Sequence, residues 1–236
     1  MLSGSLHFFK KIVSLCKVLK RKFGLVDSPS TTVILSGTSA GGEALYSNAD
    51  KVSQDLMKKS KVMAIDDSGY FQYSVPLRAH NCTDAGSCTE AQGMIQGATY
   101  WNAQMNPSCL RAFPNHPWYC LMGPTVLPHL ITKTFVFNYL FDAAQFGHDG
   151  LGKPSTPTEE TYALQSARNL TSLLSMHPYF FLPACYYHGI LQTPQWNSIA
   201  VQGVFLTDAI ARFLSGNKVQ LADSTAKVEY NPTCPQ

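Results

Sequence analysis

The sequence predicts an α/β domain built on a mostly parallel sheet flanked by helices. Three observations carry that prediction. An apolar, β-branched run at 32–35 meets a glycine-rich turn, and a helix-forming stretch follows over 43–57. "KVMAIDDSGYF" at 61–71 reads as a second buried strand, which completes a strand–helix–strand unit. Such units imply a parallel sheet with a right-handed crossover. Two later apolar runs, "TKTFVFNYLFDAAQFG" and "YFFLPACYYHGIL", are separated by a helical pattern over 158–176 and continue the same alternation.

Size and composition agree with one domain spanning 1–236. A chain of 236 residues buries a sizeable core, and 45% hydrophobic with 14% charged residues is a globular balance. A formal charge of +3, with no Lys/Arg face interleaved with aromatics, argues against a nucleic-acid partner. The absence of any 18-residue apolar run argues against a transmembrane span.

The elements follow in order. "MLSGSLHFFKKIVSLCKVLKRKF" reads as an amphipathic helix over 5–23, with Phe9, Ile12, Val13, Cys16, Leu19 and Phe23 on one stripe. The stripe is expected to pack on the sheet; lying on a membrane surface is the alternative. Lysines interrupt the segment and no small-residue cleavage site follows, so it is not a secretory signal. A loop at 27–30 leads into the first strand. Residues 76–125, rich in Cys, Asn, Pro and Trp, show a helix around 89–103 and no clear strand; they read as a cap-like insertion. The sheet resumes at 135–139, with Asp142 just past the strand. After a loop at 147–157 and the helix at 158–176, a final strand runs up to His188. A helix at 203–214 and a tail closing at Cys234 complete the chain.

The seven cysteines form no Cys-x-x-Cys pair, which weakens a zinc site; no metal is expected. Six of them lie after residue 80 in loop-like surroundings, as disulfides of an oxidising compartment do. The sequons at Asn81 and Asn169 agree with a secretory route and are the candidate glycosylation sites.

Gly37-Thr38-Ser39-Ala40-Gly41 matches Gly-x-Ser-x-Gly. In that motif a serine sits in a strained strand-to-helix turn, where bulk at the flanking positions would collide with neighbouring strands. The turn lifts the hydroxyl above the sheet and aims the N–H of the next residue, Ala40, at a substrate oxyanion. A plain tight turn is the alternative, but the strand before and helix after are the context the motif requires. A phosphate loop fits neither glycine-rich pattern.

A serine nucleophile needs a base and an orienting acid. Of seven histidines, only His188 directly follows a strand-like apolar run near the C-terminus. Asp142 ends the strand between Ser39 and His188. Asp67 also ends a strand, and Asp208 begins a helix that it would simply cap. The order Ser39, Asp142, His188 is that of α/β-hydrolases, so the predicted fold class is α/β-hydrolase-like.

"LSGTSAGGEAL", "DDSGYF", "TYWNAQMNPSCLRAFPNHPWYC", "FVFNYLFDAAQ" and "PACYYHG" occur in the order and rough spacing of the pectin acetylesterase / Notum family, which the sequence resembles over about residues 5–235. The resemblance implies carboxyl-ester hydrolysis without a cofactor, by an enzyme that is secreted and monomeric. It places the family's nucleophile at Ser39, its acid at Asp142 and its base at His188. It also implies a Cys109–Cys120 disulfide, with Cys82–Cys88 and Cys185–Cys234 left by elimination. Two substrate classes are implied: an O-acylated, pectin-like polysaccharide or an acylated protein. Tyr70, Phe71, Phe141 and Tyr187 lie beside the motifs and are the candidate acyl-pocket residues, although aromatic residues at strand ends are commonly plain core. A short-chain O-acyl esterase is the favoured reading. The sequence departs from the family at its start: the Gly-Gly-Gly-Trp-Cys-like loop that supplies further oxyanion N–H groups is not found. The expectation is a chain lacking the family's N-terminal part, in which Cys16 has lost its partner. An inactive relative that binds a glycan or acylated protein is the alternative this departure favours.

Overall fold

The computed structural model describes residues 4–78, 81–83, 87–228 and 231–235, with side chains from residue 12 onward. Helix α1 (Gly4–Lys22) leads to strand β1 (Thr32–Thr38), helix α2 (Ala40–Lys51) with a π-helical extension over Val52–Leu56, and strand β2 (Lys61–Asp67). Helices α3 (Glu90–Tyr100), α4 (Pro107–Ala112) and α5 (Gly123–Val126) fill the long connection to β3 (Lys133–Phe137). Strand β4 (Phe141–Asp142), helices α6 (Ala143–His148) and α7 (Pro157–Leu174), and strands β5 (Tyr179–Leu182) and β6 (Tyr186–Tyr187) follow. A short hairpin of β7 (Ala200–Val201) and β8 (Val204–Phe205), helix α8 (Leu206–Leu214) and strand β9 (Val219–Ala222) end the order.

The central sheet has the order β1-β2-β3-β5-β9, and every pairing is parallel. Parallel strands are covered on both faces, so their sequences read as nearly continuous apolar runs. Alternation divides those runs between two layers. Met63, Ile65, Phe135, Phe137 and Phe181 pack with Leu206, Ala209 and Phe213 of α8. Val136, Phe180 and Leu182 pack on the other face with Tyr46 of α2 and Ala163, Ala167, Leu170 and Leu174 of α7. The helix starts are written in the sequence. Thr156 and Glu159 form a capping box ahead of α7 with Pro157 in its first turn, and Thr89 and Gln92 form one ahead of α3.

Three sequence expectations are corrected here. The strand before His188 is not the last one: β9 adds a parallel edge next to β5. Its four residues, Val219-Gln220-Leu221-Ala222, are too short and mixed to stand out against the polar tail. The stripe of α1 is buried only in part. Ile12 joins a cluster with Val33, Leu35, Val52, Met57 and Val62, and Cys16 is buried, but Phe23 is exposed because the helix ends at Lys22. Phe9 lies outside the described side chains. The third concerns β1, which reads as a buried strand. Its residues alternate between exposed and half-buried, with Ile34 exposed, and none of them joins the cluster that packs under α8.

Disulfides join Cys82 to Cys88, Cys109 to Cys120 and Cys185 to Cys234, and Cys16 is free and buried. No helix among the described residues is long and apolar enough to cross a membrane.

Candidate active site

The carboxyl ends of β1, β2 and β3 lie level, with Thr38 beside Asp67 and Asp67 beside Phe137. Open parallel sheets bind their ligands at this end. Ser39 sits between β1 and α2 at φ 57°, ψ −126°, a conformation that costs a non-glycine residue of order 1–3 kcal/mol. The fold holds it there: the Ser39 N–H donates to the Asp67 carbonyl at 2.8 Å, and the Glu43 N–H donates to the Ser39 carbonyl at 3.1 Å.

The glycines around it are not equivalent. A Cβ at Gly37 would lie 2.2 Å from the Gly41 carbonyl oxygen, so that position requires glycine. One at Gly41 would meet nothing within 4 Å. The tight position is the next one: a Cβ at Gly42 would lie 2.1 Å from Asp66 Oδ1 and 2.9 Å from Gly69 Cα. The second glycine of the pentapeptide is therefore not the one the packing demands. The third is needed because α2 runs directly over the turn that follows β2.

Asp142 and His188 are brought together by a separate two-stranded pairing, in which Phe141 lies opposite Tyr186 and Asp142 opposite Tyr187. That register sets His188 one residue beyond the aspartate's partner. The His188 Nδ1–H donates to Asp142 Oδ1 and Oδ2, both at 2.9 Å. Asp142 also caps α6, accepting from the N–H groups of Ala144 at 2.9 Å and Gln145 at 3.1 Å. Capping and pairing are thus one arrangement, since the cap fixes the carboxylate that orients the ring. Burial alone would lower the His188 pKa. The hydrogen bond and charge of Asp142, with Asp67 behind, outweigh it and raise the pKa above the ordinary 6.5. His188 Nε2 is buried and has no hydrogen-bond partner among the described residues. No hydrogen bond joins it to Ser39 there.

Ser39 and Ala40 open onto a cavity of about 390 Å³, within the usual range for small-ligand sites. Phe71 forms part of its wall, and its ring lies 6.0 Å from that of His188 and 5.8 Å from that of His148. The 76–125 segment supplies much of the rest, including Met94, Tyr100, Trp101 and the Cys88 end of a disulfide. Of the four aromatic residues singled out as pocket candidates, Phe71 alone lines this cavity. Tyr70, in the turn after β2, and Phe141 of β4 are buried in the α7-side core, and Tyr187 of β6 packs against Tyr139.

The sequence reading missed Glu43, Glu90 and His148, which also line the cavity. The His148 Nδ1–H donates to the Cys88 carbonyl at 3.0 Å, which leaves Nε2 3.6 Å from Glu90 Oε2. Burial, helped by Glu90 and Asp66, pushes the Glu43 carboxyl well above its ordinary pKa. Glu43 was legible, four residues after Ser39 and hence on the same side of α2. Glu90 and His148 come from distant segments and carry no local signal. No cluster of metal-ligating side chains occurs among the described residues.

A parallel sheet with a strained serine at a strand–helix turn, and a histidine–aspartate pair at the same end, defines an α/β-hydrolase-like protein. Comparison with known proteins narrows the class. The family model described as Pectinacetylesterase matches residues 24–175, and the chain belongs to that family. It is 30% identical over 241 residues to the human palmitoleoyl-protein carboxylesterase NOTUM, covering 93% of this chain and 49% of that one. Identity to the Drosophila melanogaster palmitoleoyl-protein carboxylesterase NOTUM is 31% over 191 residues, covering 79% and 28%. A crystal structure of the Wnt deacylase Notum from Drosophila superposes with a TM-score of 0.82 at 28% identity, covering 94% of this chain and 63% of that one. The chain spans about half the length, or less, of these curated relatives.

Proposed function

We propose that this chain is a serine carboxylesterase in which Ser39, His188 and Asp142 act as nucleophile, base and orienting acid. The observation that carries the reading is the pairing of His188 Nδ1 with Asp142 at 2.9 Å, which leaves Nε2 unpartnered among the described residues. Apo sites often hold their catalytic hydrogen bonds loosely, and the base and nucleophile meet fully only with substrate bound. His188 takes the hydroxyl proton of Ser39 as Oγ attacks the ester carbonyl. The Ala40 N–H, at the start of α2, receives the developing oxyanion. His188 then protonates the leaving alcohol, and a water molecule deprotonated by the same imidazole releases the acid.

The substrate class follows from the cavity. Its wall mixes Phe71, Met94 and Trp101 with Glu43, Glu90, Thr89, Gln96 and His148. Lining a long alkyl chain with ionisable groups is costly, so the cavity favours short acyl groups on a hydroxylated alcohol. The curated relatives are named for a protein-bound palmitoleoyl group, and removal of a fatty acyl group from a protein is the competing outcome. Residues 76–125 act as the cap over the site, supported by their place in the cavity wall. The three disulfides support an extracellular setting. Asn81 and Asn169, both exposed, are its glycosylation sites.

A second reading, a protein that binds but does not hydrolyse, is favoured by the lack of a Ser39–His188 hydrogen bond among the described residues. Hydrolysis of p-nitrophenyl acetate and p-nitrophenyl octanoate by wild type and S39A decides between them. The esterase reading expects turnover in wild type, a preference for acetate and none above background in S39A. A folded wild type with no turnover of either ester selects the binding reading.

A further inference from the structure

We propose that Asp67 is a positioning residue that holds the nucleophile and the base in register. This rests on the reading of Ser39 and His188 given above. The residue ends β2 and has no exposure to solvent. Its backbone carbonyl takes the Ser39 N–H at 2.8 Å. Its side chain reaches both flanking segments. On the nucleophile side, the Thr38 hydroxyl donates to Oδ2 at 2.7 Å. On the base side, the Ile190 N–H donates to Oδ1 at 3.0 Å and Oδ2 at 3.1 Å, and the Leu191 N–H to Oδ2 at 3.0 Å.

The neighbouring residue completes the clamp. The Gly189 N–H donates to Ser68 Oγ at 3.1 Å, so three consecutive amides after His188 are tied to residues 67 and 68. The two segments also touch: a Cβ at Gly189 would lie 2.7 Å from Thr38 Cγ2, at a φ of +71°. One side chain thus bonds the residue before the nucleophile and the second and third residues after the base. Three donors and no acceptor converge on it, which suits an acceptor-only carboxylate and not an amide.

The carboxylate acts on the ring as well as on the loop. With Asp142, Asp67 is one of the acidic groups whose charge reaches His188. It therefore favours the imidazolium that forms when the base takes the serine proton. Asp142 is the carboxylate that touches the ring; Asp67 acts through its loop and through space.

D67N keeps the size of the side chain and removes the charge and one acceptor. The expected result is a folded protein with kcat for p-nitrophenyl acetate lower by about ten- to a hundredfold and KM nearly unchanged, as small displacements of reacting groups produce. Its kcat/KM acid limb is expected to move to lower pH, which a purely structural role would not cause. T38V removes one donor and keeps the charge, so it should lower kcat less and leave the acid limb in place. A folded D67N with wild-type kcat and an unmoved acid limb overturns the proposal. Should D67N not fold, T38V and Ser68→Ala carry the test, and unchanged kcat in both overturns it. Activity surviving in S39A would instead remove the triad reading beneath it.

Discussion

Asp66 and Asp67 are neighbours with opposite tasks, because successive strand residues face opposite layers. Asp67 faces the His188 loop. Asp66 faces α2, where it accepts from the Tyr46 hydroxyl and from the Gly69 N–H at 2.9 Å. Burial dominates at Asp66 and raises its pKa from 3.8 to about 8, against the opposing hydrogen bonds of Tyr46 and Gly69. The folded protein therefore keeps a proton that the unfolded chain releases. The stability this group contributes is complete below about pH 3.8 and is lost as pH rises toward 8. Chemical denaturation of D66N across that window should show a shallower loss of stability with rising pH than wild type; equal slopes would contradict the assignment. For His188 the sign concerns activity. A histidine acting as the proposed base works when neutral, so kcat/KM should fall as pH drops through a midpoint above 6.5. Under the proposed triad, D142N, which removes the charge and lets an amide N–H face the ring and favour the wrong tautomer, should cost about four orders of magnitude in kcat. At this scale the strained turn at Ser39 and the Asp142–His188 pair were legible in the sequence, because their strand-end positions and order stand out. Asp67 was not, because a carboxylate that clamps a loop and one that orients a base both follow a strand.

The turn between β1 and α2 shows where a motif and its physical reason part. The pentapeptide marks Gly37 and Gly41, yet packing requires Gly37 and Gly42. G41A should fold and melt close to wild type, since a Cβ there meets open space. G42A, which drives a methyl into Asp66 and Gly69, should lose about 1–3 kcal/mol as overpacked sites do. Melting curves for the two variants separate these outcomes, and equal losses would refute the distinction. Strands with continuous apolar runs, such as β2 and β3, and helices with caps, such as α7, could be read from sequence. The edge strand β9 could not, since its identity comes from pairing with β5 and not from its own residues. The β4–β6 pair was likewise hidden: two residues on each side suffice to set the acid against the base, and two residues carry no period.

For the molecule as a whole, the central sheet, the separate β4–β6 pair and helix α3 together bring five separated segments to one end, around residues 39, 67, 90, 142 and 188. The fold class and family were legible because the motifs recur in order along the chain. The cavity wall was legible only in part: Phe71 and Glu43 lie near sequence motifs, but Glu90 of α3 and His148 of α6 reach it only through tertiary packing. Its mixed lining predicts higher kcat/KM for acetate than for octanoate esters, and the reverse order would favour a fatty-acyl substrate. The most direct test of the central claim is covalent labelling of the whole chain with a fluorophosphonate, followed by mass spectrometry of the tryptic peptides. The account predicts a single phosphonyl adduct on Ser39, slowed strongly in His188→Ala and absent in S39A. An adduct on another serine, or labelling of S39A at the wild-type rate, would contradict it.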